Sequence, residues 1–247
     1  MKKVGVIVQA RMGSTRLPGK VAKELVGKPM LAHIIERLKK AKKIDQIIVA
    51  TSLKEDDQKV IEIVRNKNVD TYRGSEDDVL SRYIEAAEKY QLDVVVRVTG
   101  DCPLIDPVTI DELVSEFLEN EGLDYMRLEG YPRGLDTGIC DIETLKRVED
   151  EVTDDPDEVL YREHVTLYIY RNPEKFDIGI KEAPEELKRD YRLCVDEIDD
   201  YKLIDELYRR LYREDEIIDI GDVITLLDNE PSLAMINSDI EQKVLDE

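Results

Sequence analysis

Val4-Gly5-Val6-Ile7-Val8 runs straight into Gln9-Ala10-Arg11-Met12-Gly13-Ser14-Thr15-Arg16-Leu17-Pro18-Gly19-Lys20. The first five residues are a continuous apolar run of strand length. The residues after them form a loop, punctuated by Gly13, Pro18 and Gly19. The run does not alternate with polar residues, so the strand is expected to be covered on both faces, as in a parallel sheet. Ile47-Ile48-Val49-Ala50 within residues 46–51 and Val94-Val95-Val96 within residues 93–98 repeat the pattern, and residues 69–72 read as a shorter strand. Between the runs, apolar residues recur at helical spacing. Residues 30–41 carry Leu31, Ile34, Ile35, Leu38 and Ala41; residues 56–65 carry Val60, Ile61 and Val64; residues 77–90 carry Val79, Leu80, Tyr83, Ile84 and Ala87. Pro107 opens a further helix, a favoured first-turn position, with Ile110, Leu113, Val114, Phe117 and Leu118 as its stripe. This alternation predicts an α/β fold: a mainly parallel, mixed sheet with helices on both faces. Ligands of such sheets sit outside the carboxyl ends of the strands. The loops at those ends begin at Ala10, Thr51, Arg73 and Thr99.

The second half is less regular. Residues 125–141 read as loop and strand, and residues 142–151 and 158–171 as helices on either side of the breaker Thr153-Asp154-Asp155-Pro156. Residues 176–180 and 191–195 read as strands, and residues 199–212 as a helix with Leu203, Ile204, Leu207 and Leu211 inward. The acidic stretch 214–247 holds a short helix at 222–227. No repeat or Gly/Ser linker interrupts the chain. The expectation is one domain over residues 1–247, with an excursion at about 128–182.

Charge narrows the function classes. The 247 residues carry 36 Lys and Arg against 57 Asp and Glu, a formal charge of −21. So acidic a chain is a poor ligand for nucleic acid or for an anionic membrane. No apolar run approaches the ~20 residues of a transmembrane helix, and the N-terminal run is too short for a signal-peptide core. A cytoplasmic protein without nucleic-acid or membrane partners is expected. Three distant cysteines, Cys102, Cys140 and Cys194, and two histidines, His33 and His164, give little to a disulfide framework, a zinc site or a Ser-His-Asp hydrolase.

The charge is uneven. Residues 1–43 hold twelve Lys and Arg against Glu24 and Glu36, a net of +10, so the remainder carries −31. Lys39, Lys40, Lys42 and Lys43 read as a solvated helix side and end. Arg11, Arg16 and Lys20 sit in the first loop instead. A Gly-containing turn with hydroxyls presents backbone N–H groups to phosphate, and these three cations would add charge-assisted hydrogen bonds. A merely solvated loop is the other reading. It is not a Walker A loop, because five residues separate Gly13 from Gly19 and Val21 stands where a Ser or Thr would bind magnesium. No GxGxxG fingerprint is present either.

Two carboxylates stand at the ends of apolar runs. In Thr99-Gly100-Asp101-Cys102-Pro103-Leu104, Asp101 reads either as a magnesium ligand facing the crevice or as a turn-capping aspartate. In Cys194-Val195-Asp196-Glu197-Ile198-Asp199, Asp199 reads as the cap of the following helix. That leaves Asp196 as the better second ligand.

The string QARMGSTRLPGK with Gly27-Lys28-Pro29-Met30 resembles the signature of the cytidylyltransferases that make CMP-activated sugar acids. Arg73-Gly74-Ser75-Glu76-Asp77-Asp78-Val79-Leu80, Arg97-Val98-Thr99-Gly100-Asp101-Cys102-Pro103-Leu104-Ile105-Asp106 and Arg162-Glu163-His164-Val165-Thr166 resemble the spore coat polysaccharide biosynthesis protein F branch. The resemblance spans about residues 3–212. It implies a nucleotide-diphospho-sugar transferase (glycosyltransferase-A-like) fold and a Mg2+-dependent nucleotidyltransferase. Such an enzyme passes CMP from CTP to a small acceptor, releasing pyrophosphate in surface polysaccharide or glycoconjugate synthesis. It further implies nucleotide contacts from Ala10, Arg11, Gly13, Ser14, Thr15, Arg16 and Lys20, base contacts near Ser75 and Thr99, and magnesium on Asp101 and Asp196. Arg11, Lys20 and Asp101 would be catalytic. Asp136, Arg162 and His164 would line the acceptor side or a homodimer contact through residues 128–182.

Two positions depart from the pattern. Gly138 stands where a carboxylate is expected after Gly134-Leu135-Asp136, and Thr99 where sugar-acid branches carry glutamine. The acceptor is then either the hydroxyl of a ketodeoxy or nonulosonic acid or a phosphate monoester. Use of another nucleoside triphosphate, or a non-catalytic nucleotide-binding role, are the alternatives.

Overall fold

The protein is described over residues 2–241 of a computed structural model; Met1 and residues 242–247, the end of the acidic tail, lie outside the described residues. The first apolar run forms β1 (Val4–Gln9), buried but for Gln9. A two-residue ribbon, β2 (Glu24–Leu25) and β3 (Lys28–Pro29), precedes α1 (Met30–Leu38). Val26 (φ 45°) and Gly27 (φ 80°) supply its tight turn, which needs positive φ at both central residues.

The predicted alternation then appears, with ends moved by a few residues. It runs β4 (Gln46–Ser52), α2 (Gln58–Arg65), β5 (Asp70–Gly74), α3 (Val79–Lys89), β6 (Val94–Thr99) and α4 (Pro107–Glu119). Asp78 and Asp106 cap α3 and α4, accepting hydrogen bonds from the Ser81 and Thr109 amides. The second half contributes β7 (Tyr125–Glu129), β8 (Gly138–Asp141), α5 (Ile142–Val152), α6 (Glu158–Glu163), α7 (Leu167–Arg171), β9 (Ile178–Glu182), α8 (Ile198–Leu211), α9 (Ile220–Asn229) and α10 (Pro231–Ala234).

One seven-stranded sheet runs through both halves, in the order β5-β4-β1-β6-β8-β7-β9. β5, β4, β1 and β6 are parallel, β8 is antiparallel to both its neighbours, and β9 is parallel to β7. This is the mixed α/β sheet expected. Val6, Val8, Val96 and Val98 pack on one face with Leu31, Val60 and Leu113 from α1, α2 and α4. Ile7, Ile48 and Val95 pack on the other with Leu80, Tyr83 and Val148 from α3 and α5. Each fully buried aliphatic side chain contributes about 1.5–3 kcal/mol. A third cluster joins α8 and α9 to Leu17 and Leu104, which lie in the loops after β1 and β6.

Two expectations are corrected. Residues 191–195 are not a strand: their backbone makes one isolated bridge, Arg133 to Arg192, and otherwise bonds to loops. Residues 158–171 are not one helix. They break between α6 and α7, where the β-branched pair Val165 and Thr166 is turned inward, 1% and 4% exposed. Of the expected excursion at 128–182, β8 and β9 join the main sheet and α5 packs on it.

The strand order fixes where a ligand can sit. From β1 the chain moves to β4 and β5 on one side, then returns to β6 on the other. The carboxyl ends of β1 and β6 are therefore the switch point of the sheet. The Gly100 amide donates to the Gln9 carbonyl at 2.8 Å, and a Cβ on Gly100 would stand 2.9 Å from that same oxygen. Only glycine allows the two loops this approach.

Candidate active site

The loop after β1 is held by backbone hydrogen bonds and one buried carboxylate. The Ser14 and Gly19 amides both donate to the Met12 carbonyl at 2.9 Å. The Met12 amide donates to Asp57 Oδ1 at 2.6 Å. Asp57 also accepts from the Ser52 amide at 3.1 Å and the Ser52 hydroxyl at 2.5 Å. Burial alone would push the Asp57 carboxyl up, but the Met12 and Ser52 donors outweigh it and hold it below the usual carboxylate range. Asp57 was not singled out in the sequence; its one signal is a carboxylate a few residues past a buried strand.

Asp57→Ala leaves buried amides unpaired and is expected to cost about 1–3 kcal/mol in urea unfolding. Its depressed pKa means this stabilisation is present above the unfolded carboxyl value and fades as pH falls through the folded one. The gap between wild type and variant should therefore narrow on acidification below about pH 4. A gap that widens there would count against the assignment.

Gly19 takes φ 68° and turns the chain into a 3-10 turn, Lys20–Ala22, which aims Lys20 across the switch point. Its ammonium lies 2.7 Å from Asp101 Oδ2 and 2.9 Å from Asp196 Oδ1. Asp101 and Asp196 are far apart in sequence, and the main chain joins them: the Val195 amide donates to the Asp101 carbonyl at 2.8 Å. The loop bearing Asp101 is clamped from outside by the buried Arg37, donating to the Ile105 carbonyl at 2.6 Å, and by the Tyr208 hydroxyl, donating to the Pro103 carbonyl at 2.7 Å. Gly134 (φ 95°) lets the chain before β8 press on the Asp196 segment, where a Cβ would meet the Cys194 amide nitrogen at 2.6 Å.

The Asp196 carboxylate is surrounded by cations. Arg16 lies 3.1 Å from its Oδ1 and Arg192 2.7 Å from its Oδ2. Arg192 also pairs with the fully buried Asp200 at 2.9 Å. Asp200 accepts from the Asp196 and Glu197 amides at 2.9 and 3.0 Å, and Asn237 donates to it at 2.9 Å. The cap of α8 is therefore Glu197 with Asp200 in a reciprocal capping box, not Asp199 as expected. Burial opposes ionisation of both Asp101 and Asp196; the Lys20 charge and its hydrogen bonds overcome this and keep both carboxyls low. Burial likewise opposes the Lys20 charge, and the two carboxylates more than restore it. At neutral pH the cluster is one ammonium between two carboxylates.

The other expected site residues fall around this centre. Arg11 pairs loosely with Glu76, just past β5, at 3.8 Å and with Glu163, the last residue of α6, at 3.9 Å. Ala10 is buried at the head of the loop, Gly13 and Thr15 are exposed, and the Ser14 hydroxyl accepts from the Leu17 amide at 3.4 Å. The Thr99 hydroxyl donates to Asp101 Oδ1 at 2.5 Å, so it supports the carboxylate. The Ser75 hydroxyl accepts from the Asp78 amide at 3.0 Å, on the exposed entry to α3. Asp136 is exposed and accepts from the Gly134 amide at 2.7 Å. Arg162 is not drawn into the cluster. It tethers α6, bonding Asp78 at 2.8 Å and Glu158 at 2.7 Å. His164 is half-buried at the α6–α7 break, and burial lowers its pKa. The three cysteines are unpaired and buried, which pushes the Cys194 thiol up to about 12.

The arrangement sets a loop bearing Arg11, Arg16 and Lys20 against the carboxylate pair of Asp101 and Asp196. Among the described residues no group of three or more His, Cys, Asp or Glu is arranged to hold a metal, and no helix is long and apolar enough to cross a membrane.

The family model described as cytidylyltransferase matches residues 5–220. Spore coat polysaccharide biosynthesis protein SpsF of Bacillus subtilis is 33% identical over 95% of this chain and 98% of its own. A 3-deoxy-manno-octulosonate cytidylyltransferase of Geobacter metallireducens is 37% identical over 49% of this chain and 47% of its own. A solved cytidylyltransferase from Leptospira borgpetersenii superposes with a TM-score of 0.87 at 34% identity, covering 98% of this chain and all of that one. Fold and sequence agree, and the chain belongs to the cytidylyltransferase family.

Proposed function

We propose that the protein transfers CMP from CTP to a hydroxyl of a sugar acid of the ketodeoxy or nonulosonic class, releasing pyrophosphate, in polysaccharide or glycoconjugate precursor synthesis. The observation that carries this is the convergence of Asp101 and Asp196 on Lys20, 2.7 and 2.9 Å away, at the mouth of the Arg11–Lys20 loop. The sugar-acid acceptor is supported by the likeness to a 3-deoxy-manno-octulosonate cytidylyltransferase over about half of each chain. The reaction belongs to the cytoplasm, where nucleoside triphosphates are made.

The acceptor oxygen attacks the α-phosphorus in line and pyrophosphate leaves, so the protein mainly positions and neutralises charge. Backbone amides of the loop and the Arg11, Arg16 and Lys20 cations bind the triphosphate. When the nucleotide enters, the Lys20 ammonium exchanges carboxylate oxygens for phosphate oxygens, and there it stabilises the charge growing on the leaving group. The two ionised carboxylates converge on a cation already, which suits a Mg2+ ion taking its remaining ligands from water and phosphate. Bound there, Mg2+ would screen the triphosphate and polarise the α-phosphoryl group. Arg192, Asp200 and Asn237 hold the Asp196 segment rigid.

A homodimer through residues 128–182 accompanies this reading. β9 is one of the two edge strands of the sheet with Ile180 46% exposed, and Val159 is 80% exposed on α6; light scattering of the purified chain tests it.

The function is tested by thermal unfolding with CTP, UTP, GTP and ATP, each with and without Mg2+. A ligand at ~100 Kd adds about 2.7 kcal/mol to native stability, or about 5–10 °C for a chain of this size. A Mg2+-dependent rise with CTP above the others is expected. An equal or larger rise with another nucleotide would reassign the donor, and no rise with any would leave a non-catalytic relative.

A further inference from the structure

Arg97 is a charged side chain to which the reaction as described gives no work. It lies on β6 facing Gly138 of β8. It shares a strand face with Val95 and Thr99, because strand side chains alternate. It is thus two residues, about 7 Å, from Thr99, whose hydroxyl holds Asp101. Its Nε is sealed from solvent with no hydrogen-bond partner, and no carboxylate among the described residues forms an ion pair with it. The residue as a whole is only partly buried, so part of it meets solvent. Burial works against its charge, but Tyr83, Tyr170, Tyr125 and Asp136 around it keep it protonated.

Leaving a charged donor unpaired inside a protein costs more than the ~1–3 kcal/mol of a neutral one, and such a group calls for an explanation. Its surroundings keep the guanidinium open. Gly138 has no side chain to offer it, and a Cβ there would overlap the Tyr125 hydroxyl. The Tyr125 and Tyr170 hydroxyls bond each other at 2.7 Å, and the Thr166 hydroxyl donates to Tyr170 at 2.9 Å. Tyr170 is 40% exposed. His164 is near enough for the Arg97 charge to help lower its pKa, after burial. The result is one cation beside a group of hydroxyls, two residues along β6 from the Thr99 whose hydroxyl holds Asp101.

We propose that Arg97 is the anion anchor of the acceptor: its guanidinium takes the acceptor's carboxylate, and Tyr170, the exposed member of the group of hydroxyls beside it, faces the sugar hydroxyls. This rests on the cytidylyltransferase reading above and names the group by which the acceptor is recognised. A planar fork of donors matches a carboxylate in two parallel hydrogen bonds. The absence of a carboxylate at 138 then has a purpose, since one would occupy the same donors. A phosphate monoester would satisfy the same charge, and the test separates the two.

The full chain loaded with CTP and Mg2+ is given 3-deoxy-manno-octulosonate, N-acetylneuraminate or glycerol 3-phosphate. Thermal midpoint and pyrophosphate release are read for wild type, Arg97→Gln and Arg97→Lys. At least one acid should raise the wild-type midpoint and support release. Arg97→Gln should raise its KM about 10²-fold, the scale of losing one partner of a buried charge pair, with the CTP shift unchanged. Arg97→Lys should recover part. As a control independent of the folding of Arg97→Gln, the methyl ester of the active acid is tested on wild type, and it should lose the response.

Equal KM in wild type and Arg97→Gln, full activity with the ester, or no response to any anion by the CTP-bound protein would each overturn the anchor. An Arg97-dependent response to glycerol 3-phosphate alone would keep the anchor and overturn the sugar-acid acceptor. Failure of wild type to bind CTP would instead overturn the parent reading.

Discussion

Lys20→Ala is expected to lower kcat for pyrophosphate release about 10²–10³-fold, the scale of removing one preorganised electrostatic donor, about 3–4 kcal/mol. The ammonium is held at the junction of the loop and both carboxylates, 2.7 and 2.9 Å from them. The same variant should not demand more Mg2+, because Lys20 and a divalent cation compete for the same two oxygens. Its pH profile should move as well. Burial pushes Asp101 and Asp196 up and Lys20 is its foremost opponent, while Asp101 also raises Asp196. Without it they protonate at higher pH, so the acid limb of activity should shift upward. Unchanged turnover would remove Lys20 from the mechanism, and a downward acid limb would break the electrostatic argument.

Asp101→Asn should cost at least as much in kcat, about 10²–10³-fold or more, and should raise the Mg2+ concentration needed for half-maximal rate. The substitution keeps the shape at the end of β6 and the backbone bond from Val195 to the Asp101 carbonyl, but removes the negative charge. The two variants therefore separate the roles: one loses a cation with no added metal demand, the other loses a ligand and gains that demand. Steady-state rates across a Mg2+ series read both. An Asp101→Asn enzyme with normal rate and normal Mg2+ dependence would sink the ligand assignment.

The strands and helices of the first half were legible because their signals are local. Val6, Ile7 and Val8 lack alternation since both faces of β1 are covered, and the stripe Leu31, Ile34, Ile35 and Leu38 faces that same core. The second half was harder for a physical reason. Residues 191–195 are apolar and extended like a strand, but their partners are loops, and a ladder depends on the partner. Val165 and Thr166 sit in a helical pattern but are turned inward by packing that no window of sequence displays.

The candidate site divides similarly. Lys20, Arg16, Asp101 and Asp196 could be singled out from residue type and from standing just past apolar runs. Asp57, Arg192, Asp200 and Asn237 could not, because each acts through a partner distant in sequence or through a capping box. Arg162, singled out by its motif, is used up by ion pairs holding α6 to α3.

The sequence by itself determined the α/β class, the loop after the first strand and the family, because strand burial, turn glycines and a long contiguous motif are written in order along the chain. Only the tertiary structure decided that Asp101 and Asp196 converge on Lys20, that β8 runs against its neighbours, and that Arg97 stands unpaired beside Gly138. Those facts depend on which distant segments meet across the sheet. That is settled by the burial of both its faces and by backbone bonds such as Val195 to Asp101, not by any local preference.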